Sequence, residues 1–262
     1  GVDFTKTYDP ISITPSVYVN FIDLRTRLAL STGSSNSLSS DYTTVDELEN
    51  DVELKHEITG MYFTDDGLKF NDRGYLKVVK DVNVNSGTYE AYLKTESSGG
   101  WYNTIFNSAL ETDTANNHKP QLGLYGNGNS DSGGSGTFNG WEVMVYQSPQ
   151  ITVGGAGGAR EVPVEANNWV HIVWTFSSKT DFKIYVNGEF KLSGNPTAAN
   201  GHQNTPTGNI FIGGTGGGNS FVGIMKYAKY YDKELNAIEV KQIYNIRETP
   251  NSYYNINILP YI

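Results

Sequence analysis

Glu49-Asn-Asp51-Val-Glu53 is the stretch whose residue types most directly suggest chemistry. On a β-strand the side-chain period is two, so this spacing would line three carboxylates along one face. Such a row could divide the roles of a glycoside hydrolase: one carboxylate as nucleophile, one as proton donor, the middle one tuning both. The same residues also make an ordinary solvated acidic strand. Lys55, His56 and Glu57 follow at once, and residues 41–66 hold nine Asp or Glu against one Lys.

Other candidate groups are scattered. The histidines are His56, His118, His171 and His202, and none stands at the H-x-x-x-H spacing of a metal pair. A polysaccharide lyase needs a Tyr or His base near a cation that neutralises a uronate carboxylate. His171, Tyr185 and Arg160 are of the right types, although His171 inside an apolar run also reads as structural. The glycine clusters at 154–160 and 213–219 lack the G-x-G-x-x-G order and a following helix, so they read as loops rather than phosphate cradles.

Aromatic residues beside glycines suggest a different activity. Flat rings stack on the apolar faces of sugars, while amides and backbone groups read the hydroxyls. Trp101-Tyr102 follows Ser97-Ser98-Gly99-Gly100, and Trp141 follows Asn139-Gly140 across a presumed hairpin from Tyr125 and Asn127. Trp101, Tyr102, Tyr125, Asn127 and Trp141 therefore form the candidate ligand-binding set. No catalytic set is assigned beyond the alternative of Glu49, Asp51 and Glu53.

These side chains need a scaffold, and the chain reads as all-β. Short alternating apolar runs recur between turn residues, from "SVYVNFIDL" (16–24) to "SFVGIMKYAKYYD" (220–232). "GLKFNDRGYLKVV" reads as strand, turn, strand, and "IYVNGEF" closes a hairpin with Asn187-Gly188. One helix is expected, opened by the capping-box pattern Asn236-Ala-Ile-Glu239 and ended before Pro250, with Leu235, Ile238, Ile243 and Ile246 on one face. The expectation is an antiparallel two-sheet jelly-roll β-sandwich with one short C-terminal helix.

Composition narrows the partners. The chain has 262 residues and reads as a single domain, with its core at about 60–245 and extensions at both ends that pack on it or on a partner. It has no cysteine, which excludes disulfides and thiolate chemistry. A net charge of −9 argues against nucleic acid and against an anionic membrane surface. No run approaches 18 apolar residues, so no membrane insertion is expected. The chain starts at Gly1 and reads as a processed piece. The surface is rich in Gly, Ser, Thr, Asn and Tyr, which suits an extracellular, cell-surface or virion setting.

The order of the segments "GLKFNDRGYLKV", "GTYEAYLKT", "GWEVMVY", "NNWVHIVWTFS", "KIYVNGEFKLSG", "NIFIGG" and "FVGIMKYAKYYDKELNAIEVKQIYN" resembles the laminin-G-like and pentraxin-like branch of the concanavalin A-like lectin/glucanase superfamily. The resemblance spans about 60–245. It implies a jelly roll, and members range over adhesion modules, carbohydrate-binding modules, lyases, glucanases and viral fibre or capsid domains. It also implies that Trp169 is core and that Trp174, an odd five positions on, lies on the opposite face of the same strand. The E-x-D-x-E spacing resembles the glucanase motif. No cofactor is required, but many members hold a structural calcium at the rim. Asp113, Asp131, Asn204 and Asn209 lie in loops of about the right order, with no ligand set assigned. The reading that follows is a non-catalytic carbohydrate-binding or adhesion domain whose partner is a glycan. The alternatives are a virion or appendage domain assembling through its termini, and a hydrolase or lyase of the same fold.

Overall fold

In a computed structural model of the chain, residues 13–32, 42–56, 61–71, 74–80, 82, 86–96, 102–109, 120–126, 138–145, 151–153, 167–177, 181–194, 209–214 and 221–247 are described. The chain opens with β1 (Val17–Asn20), α1 (Phe21–Thr32), β2 (Tyr42–Val45), β3 (Asp51–His56), β4 (Met61–Thr64), β5 (Gly67–Phe70) and β6 (Gly74–Val78). Its middle is β7 (Ser86–Thr95), β8 (Tyr102–Ala109), β9 (Pro120–Gly126), β10 (Phe138–Val145) and β11 (Ile151–Val153). It closes with β12 (Trp169–Ser177), β13 (Asp181–Val186), β14 (Glu189–Gly194), β15 (Asn209–Ile212), β16 (Gly223–Tyr231) and α2 (Ala237–Ile246).

The strands form two antiparallel sheets. The first runs β14-β13-β12-β7-β16-β5-β4, with β1 also on β16; the second runs β11-β10-β9-β8-β15-β6-β3-β2. Alternating apolar residues of both sheets meet in one core. Val52 and Leu54, Leu76 and Val78, and Ile210 and Ile212 come from the second sheet, and Tyr89, Leu93, Trp174 and Tyr230 from the first. An aromatic nest sits at its centre. Tyr89 stacks on Trp174 at 4.9 Å and 18°, and Trp174 lies 5.7 Å from Phe182.

This arrangement confirms the two-sheet sandwich and corrects several local readings. The run 16–24 is not one strand: Asn20 accepts from the backbone N–H groups of Ile22 and Asp23 at 3.1 and 3.4 Å, which caps α1 and ends β1. The core also extends N-terminal to residue 60, since Val17, Val19, Phe21 and Leu24 join the same buried cluster. Residues 67–78 do not make a hairpin, because β5 pairs within the first sheet and β6 within the second. The chain passes from one sheet to the other between Phe70 and Gly74.

Trp169 and Trp174 do lie on opposite faces, but with their assignments reversed. Trp174 is fully buried in the core, whereas Trp169 is half-buried on the outer face beside Tyr92. Parity is legible in sequence; which parity faces the second sheet depends on tertiary packing.

One capping box opens α2, which covers the outer side of the first sheet. Asn236 accepts from the N–H groups of Ile238 and Glu239 at 2.9 and 3.1 Å, and Glu239 accepts from the Asn236 N–H at 2.9 Å. The inward face of α2 carries Val240 and Ile243, joined by Leu235 just ahead of the helix, against Val173, Tyr185 and Tyr231. Ile238, expected on that face, is 68% exposed, because it lies in the first turn on the far side of the helix. Asn187 and Gly188 take φ of 52° and 74°, as the β13–β14 hairpin turn requires. The apolar tail 250–262, the glycine cluster 154–160, most of the cluster 213–219, and Asp113, Asp131 and Asn204 lie outside the described residues.

Candidate functional site

The two outer faces of the sandwich differ in kind. On the first sheet the outer face is closed over a buried charge. Glu90 on β7 is 0% exposed. Its Oε1 lies 3.0 Å from His171 Nε2 and accepts from the Tyr227 hydroxyl at 2.9 Å; its Oε2 accepts from the Tyr231 hydroxyl at 2.5 Å. Lys229 Nζ lies 3.7 Å away, over the rings of Tyr227 and Tyr18 at 4.3 and 4.8 Å. Burial by itself pushes the Glu90 carboxyl up. The Lys229 ammonium and the His171 and Tyr231 hydrogen bonds outweigh that and hold it at about 2. Burial lowers Lys229 from its ordinary value, opposed by Glu90. Burial also leads in raising Tyr18 to about 12.

This network is sealed. His171 is 0% and Tyr185 is 4% exposed, and α2 packs over them. No polysaccharide can reach either as a catalytic base, and Arg160 lies outside the described residues. His171 is a structural histidine that helps satisfy a buried carboxylate.

The second sheet carries a polar and aromatic group on its outer side, in which Lys77 and Asn107 are buried and Glu53, Phe211 and Tyr75 are partly exposed. Glu53, Lys77, Phe211 and Asn107 stand in one cross-strand row, from β3 through β6 and β15 to β8. Glu53, Lys77 and Phe211 each stand between two core residues and Asn107 follows the core residue Phe106, so pleat alternation turns the row away from the core. Four strands at the usual spacing make this row roughly 14 Å long. Lys77 Nζ pairs with Glu53 Oε1 at 3.3 Å. Phe211 and Tyr75 are half-buried, with ring centroids 5.8 Å apart at 42°. Asn107 is 4% exposed, and its Oδ1 has no hydrogen-bond donor in the described structure. The half-buried Phe211–Tyr75 pair, with the partly exposed Glu53 carboxylate nearby, can stack on a sugar ring and read a hydroxyl.

The residues anticipated from sequence fall partly on this sheet. Tyr102 on β8 and Tyr125 on β9 are directly opposite each other. Trp141 on β10 pairs with Leu124, one position away from the Gly140–Tyr125 pair and so in the neighbouring cross-strand row. Trp101 and Asn127 lie outside the described residues. The three carboxylates do not share a strand face. β3 starts at Asp51, and Glu49 lies in the preceding turn with φ of 62°, so only Asp51 and Glu53 follow strand alternation. Asp46 causes this turn: its carboxylate accepts from the N–H groups of Leu48 and Asn50 at 2.8 and 2.9 Å and from Tyr18 N–H at 2.9 Å. Sequence reasoning missed Phe211 and Lys77, although "NIFIGG" and "YLKVV" show each as the polar or aromatic residue between two apolar ones.

For calcium, Asn209 is half-buried at the start of β15, and Asp113, Asp131 and Asn204 lie outside the described residues. Among the described residues no three His, Asp or Glu side chains converge on a cation position. They do not supply a ligand set, and no step is assigned to a metal. No helix among them is long and apolar enough to cross a membrane.

A laminin G family model, described as the concanavalin A-like lectin/glucanases superfamily, matches residues 65–241, more than half of the chain. No curated protein matches in sequence. Among solved structures, a Trypanosoma rangeli sialidase is similar at TM-score 0.59 and 15% identity, covering 89% of this chain and 33% of that one. The same sialidase solved with sialic acid gives 0.56 and 18%, covering 81% and 32%. The botulinum neurotoxin serotype G binding domain gives 0.51 and 14%, covering 90% and 52%. The chain thus spans about a third of the sialidase chains and about half of the toxin-domain chain. These likenesses concern the fold.

Proposed function

Starting from the fact that the chain belongs to the concanavalin A-like lectin/glucanases superfamily, we propose that it is a non-catalytic carbohydrate-binding domain working outside the cell. The outer face of the second sheet carries this reading. There, Phe211 and Tyr75 offer ring surface beside the partly exposed Glu53 carboxylate, which Lys77 holds in place. A glycan would lie along this row and extend toward the Tyr102–Tyr125 pair on β8 and β9. The ligand class of the sialidase, solved with sialic acid, comes to this chain only as part of the proposal. A non-catalytic role is favoured because the candidate carboxylates are split between a turn and a strand and the candidate base is sealed.

A glycan array on the full chain, followed by calorimetry of the best hit, tests this. Phe211→Ala and Tyr75→Ala are expected to lower affinity about tenfold, equivalent to about 1.4 kcal/mol, while leaving the unfolding midpoint nearly unchanged. An array without hits, or affinities that neither substitution alters, would sink the proposal.

A further inference from the structure

The end of the first sheet that escapes the sealed layer has its own chemistry. Trp169 opens β12 opposite Lys94 of β7. Its ring lies 5.0 Å from that of Tyr92, at 35°. The ammonium groups of Lys94 and Lys226 each lie 5.2 Å from the Trp169 centroid, and Lys226 also stands 5.6 Å from the Tyr92 centroid. The Arg247 guanidinium is 5.7 Å from the same Tyr92 ring. Three cations thus gather around two adjoining rings in a chain of net charge −9 with only 19 Lys and Arg.

Lys226 is there because of a local irregularity. The β16–β7 register shifts between Met225 and Tyr227, so Lys226 is an extra residue in its strand. Met225 points into the core and Tyr227 packs with Tyr92 on the outer face. The bulge puts Lys226 and Tyr227 together on that outer side, where regular alternation would allow only one of them. Among the described residues the nearby anion is Asp66, 3.6 Å from Lys94 and 56% exposed, and Lys226 has no carboxylate partner. The local charge is therefore positive.

From this we infer that the Trp169 end of the first sheet is a binding subsite for an acidic sugar unit. The half-buried indole, backed by the Tyr92 ring, would contact the sugar's apolar face or edge. Lys226, with Lys94, would neutralise its anionic group. Cations held on aromatic faces keep their charge available to a third partner. A neutral sugar would leave them unused, and a purely apolar ligand would desolvate them at a cost. The anion is a carboxylate or a sulfate. This subsite is on the opposite sheet from the Phe211 row and does not depend on it.

The test is calorimetry of the full chain with 3′-sialyllactose, a sulfated disaccharide and lactose, each at two salt concentrations. Binding of either acidic probe, weakened by salt and absent for lactose, is expected, and the two acidic probes separate carboxylate from sulfate recognition. Lys226→Gln should lower that affinity roughly threefold to fivefold and Lys226→Arg should restore it. Trp169→Phe should remove the ligand-induced change in tryptophan fluorescence. The inference is overturned if neither acidic probe binds, if lactose binds as tightly, if Lys226→Gln and Trp169→Phe are both without effect, or if Phe211→Ala alone abolishes binding.

Discussion

His171 and Glu90 are diagonal neighbours on adjacent strands, with Nε2 and Oε1 3.0 Å apart and neither side chain exposed. A carboxylate so placed must be matched by donors, and four side chains from two strands converge on it. Breaking one partner of a buried charged pair leaves the other uncompensated.

Glu90→Gln is therefore expected to destabilise the domain by about 3–5 kcal/mol, since it strands the Lys229 ammonium. Urea unfolding followed by tryptophan fluorescence measures this. The double variant Glu90→Gln/Lys229→Met should recover part of the loss. Strict additivity of the two would argue against the coupling.

The same carboxyl fixes an acid response. Its value in the folded chain, about 2, lies below the ordinary 4.5. The stability it contributes is fully present above about pH 4.5 and is lost as pH falls toward 2. The urea midpoint of the native chain should drop across that window, and Glu90→Gln should show a shallower drop. Equal slopes in both proteins would count against an ionised Glu90.

The two tryptophans of β12 should behave differently on truncation. Trp174 is fully buried among Tyr89, Phe176 and Phe182, so Trp174→Ala should cost about 3–5 kcal/mol. Trp169 is half-buried, so Trp169→Ala should cost clearly less. Thermal melts of both variants decide it, and the reverse order would contradict the assignment of sheet faces.

Docking of α2 rests on small local devices. Asn236→Ala removes the acceptor of two orphan N–H groups and should cost about 1 kcal/mol. Gly188→Ala places a Cβ 2.9 Å from the Tyr244 ring at φ of 74°, and should destabilise by at least as much. Hydrogen exchange across residues 237–246 should rise in both variants.

The capping box at Asn236 and the turn at Asn187-Gly188 were legible because each is set by neighbours within four residues. The β5–β6 connection was not, since a four-residue turn fits both a hairpin and a crossing between sheets. The candidate site follows the same division. Tyr102 and Tyr125 stood out by type and loop position, and the register places them opposite each other. Phe211, Lys77, Glu53 and Asn107 come from four separate parts of the chain, and only strand pairing puts them in a row. Glu90 looks like an ordinary strand carboxylate until His171, Tyr227, Lys229 and Tyr231 are brought around it.

One flank of β16 is divided: its first residues pair with β5 and its last with β1, so that Val17 stands opposite Tyr230. That contact joins residues more than two hundred positions apart in the chain, the kind of closure that forms late in folding. Until β1 arrives, half of a central strand has an open edge. A chain shortened past Asn20 would keep that edge, and a peptide with the sequence of residues 13–20 could fill it in trans. The N-terminal strand is in this sense a built-in plug against strand exchange between molecules.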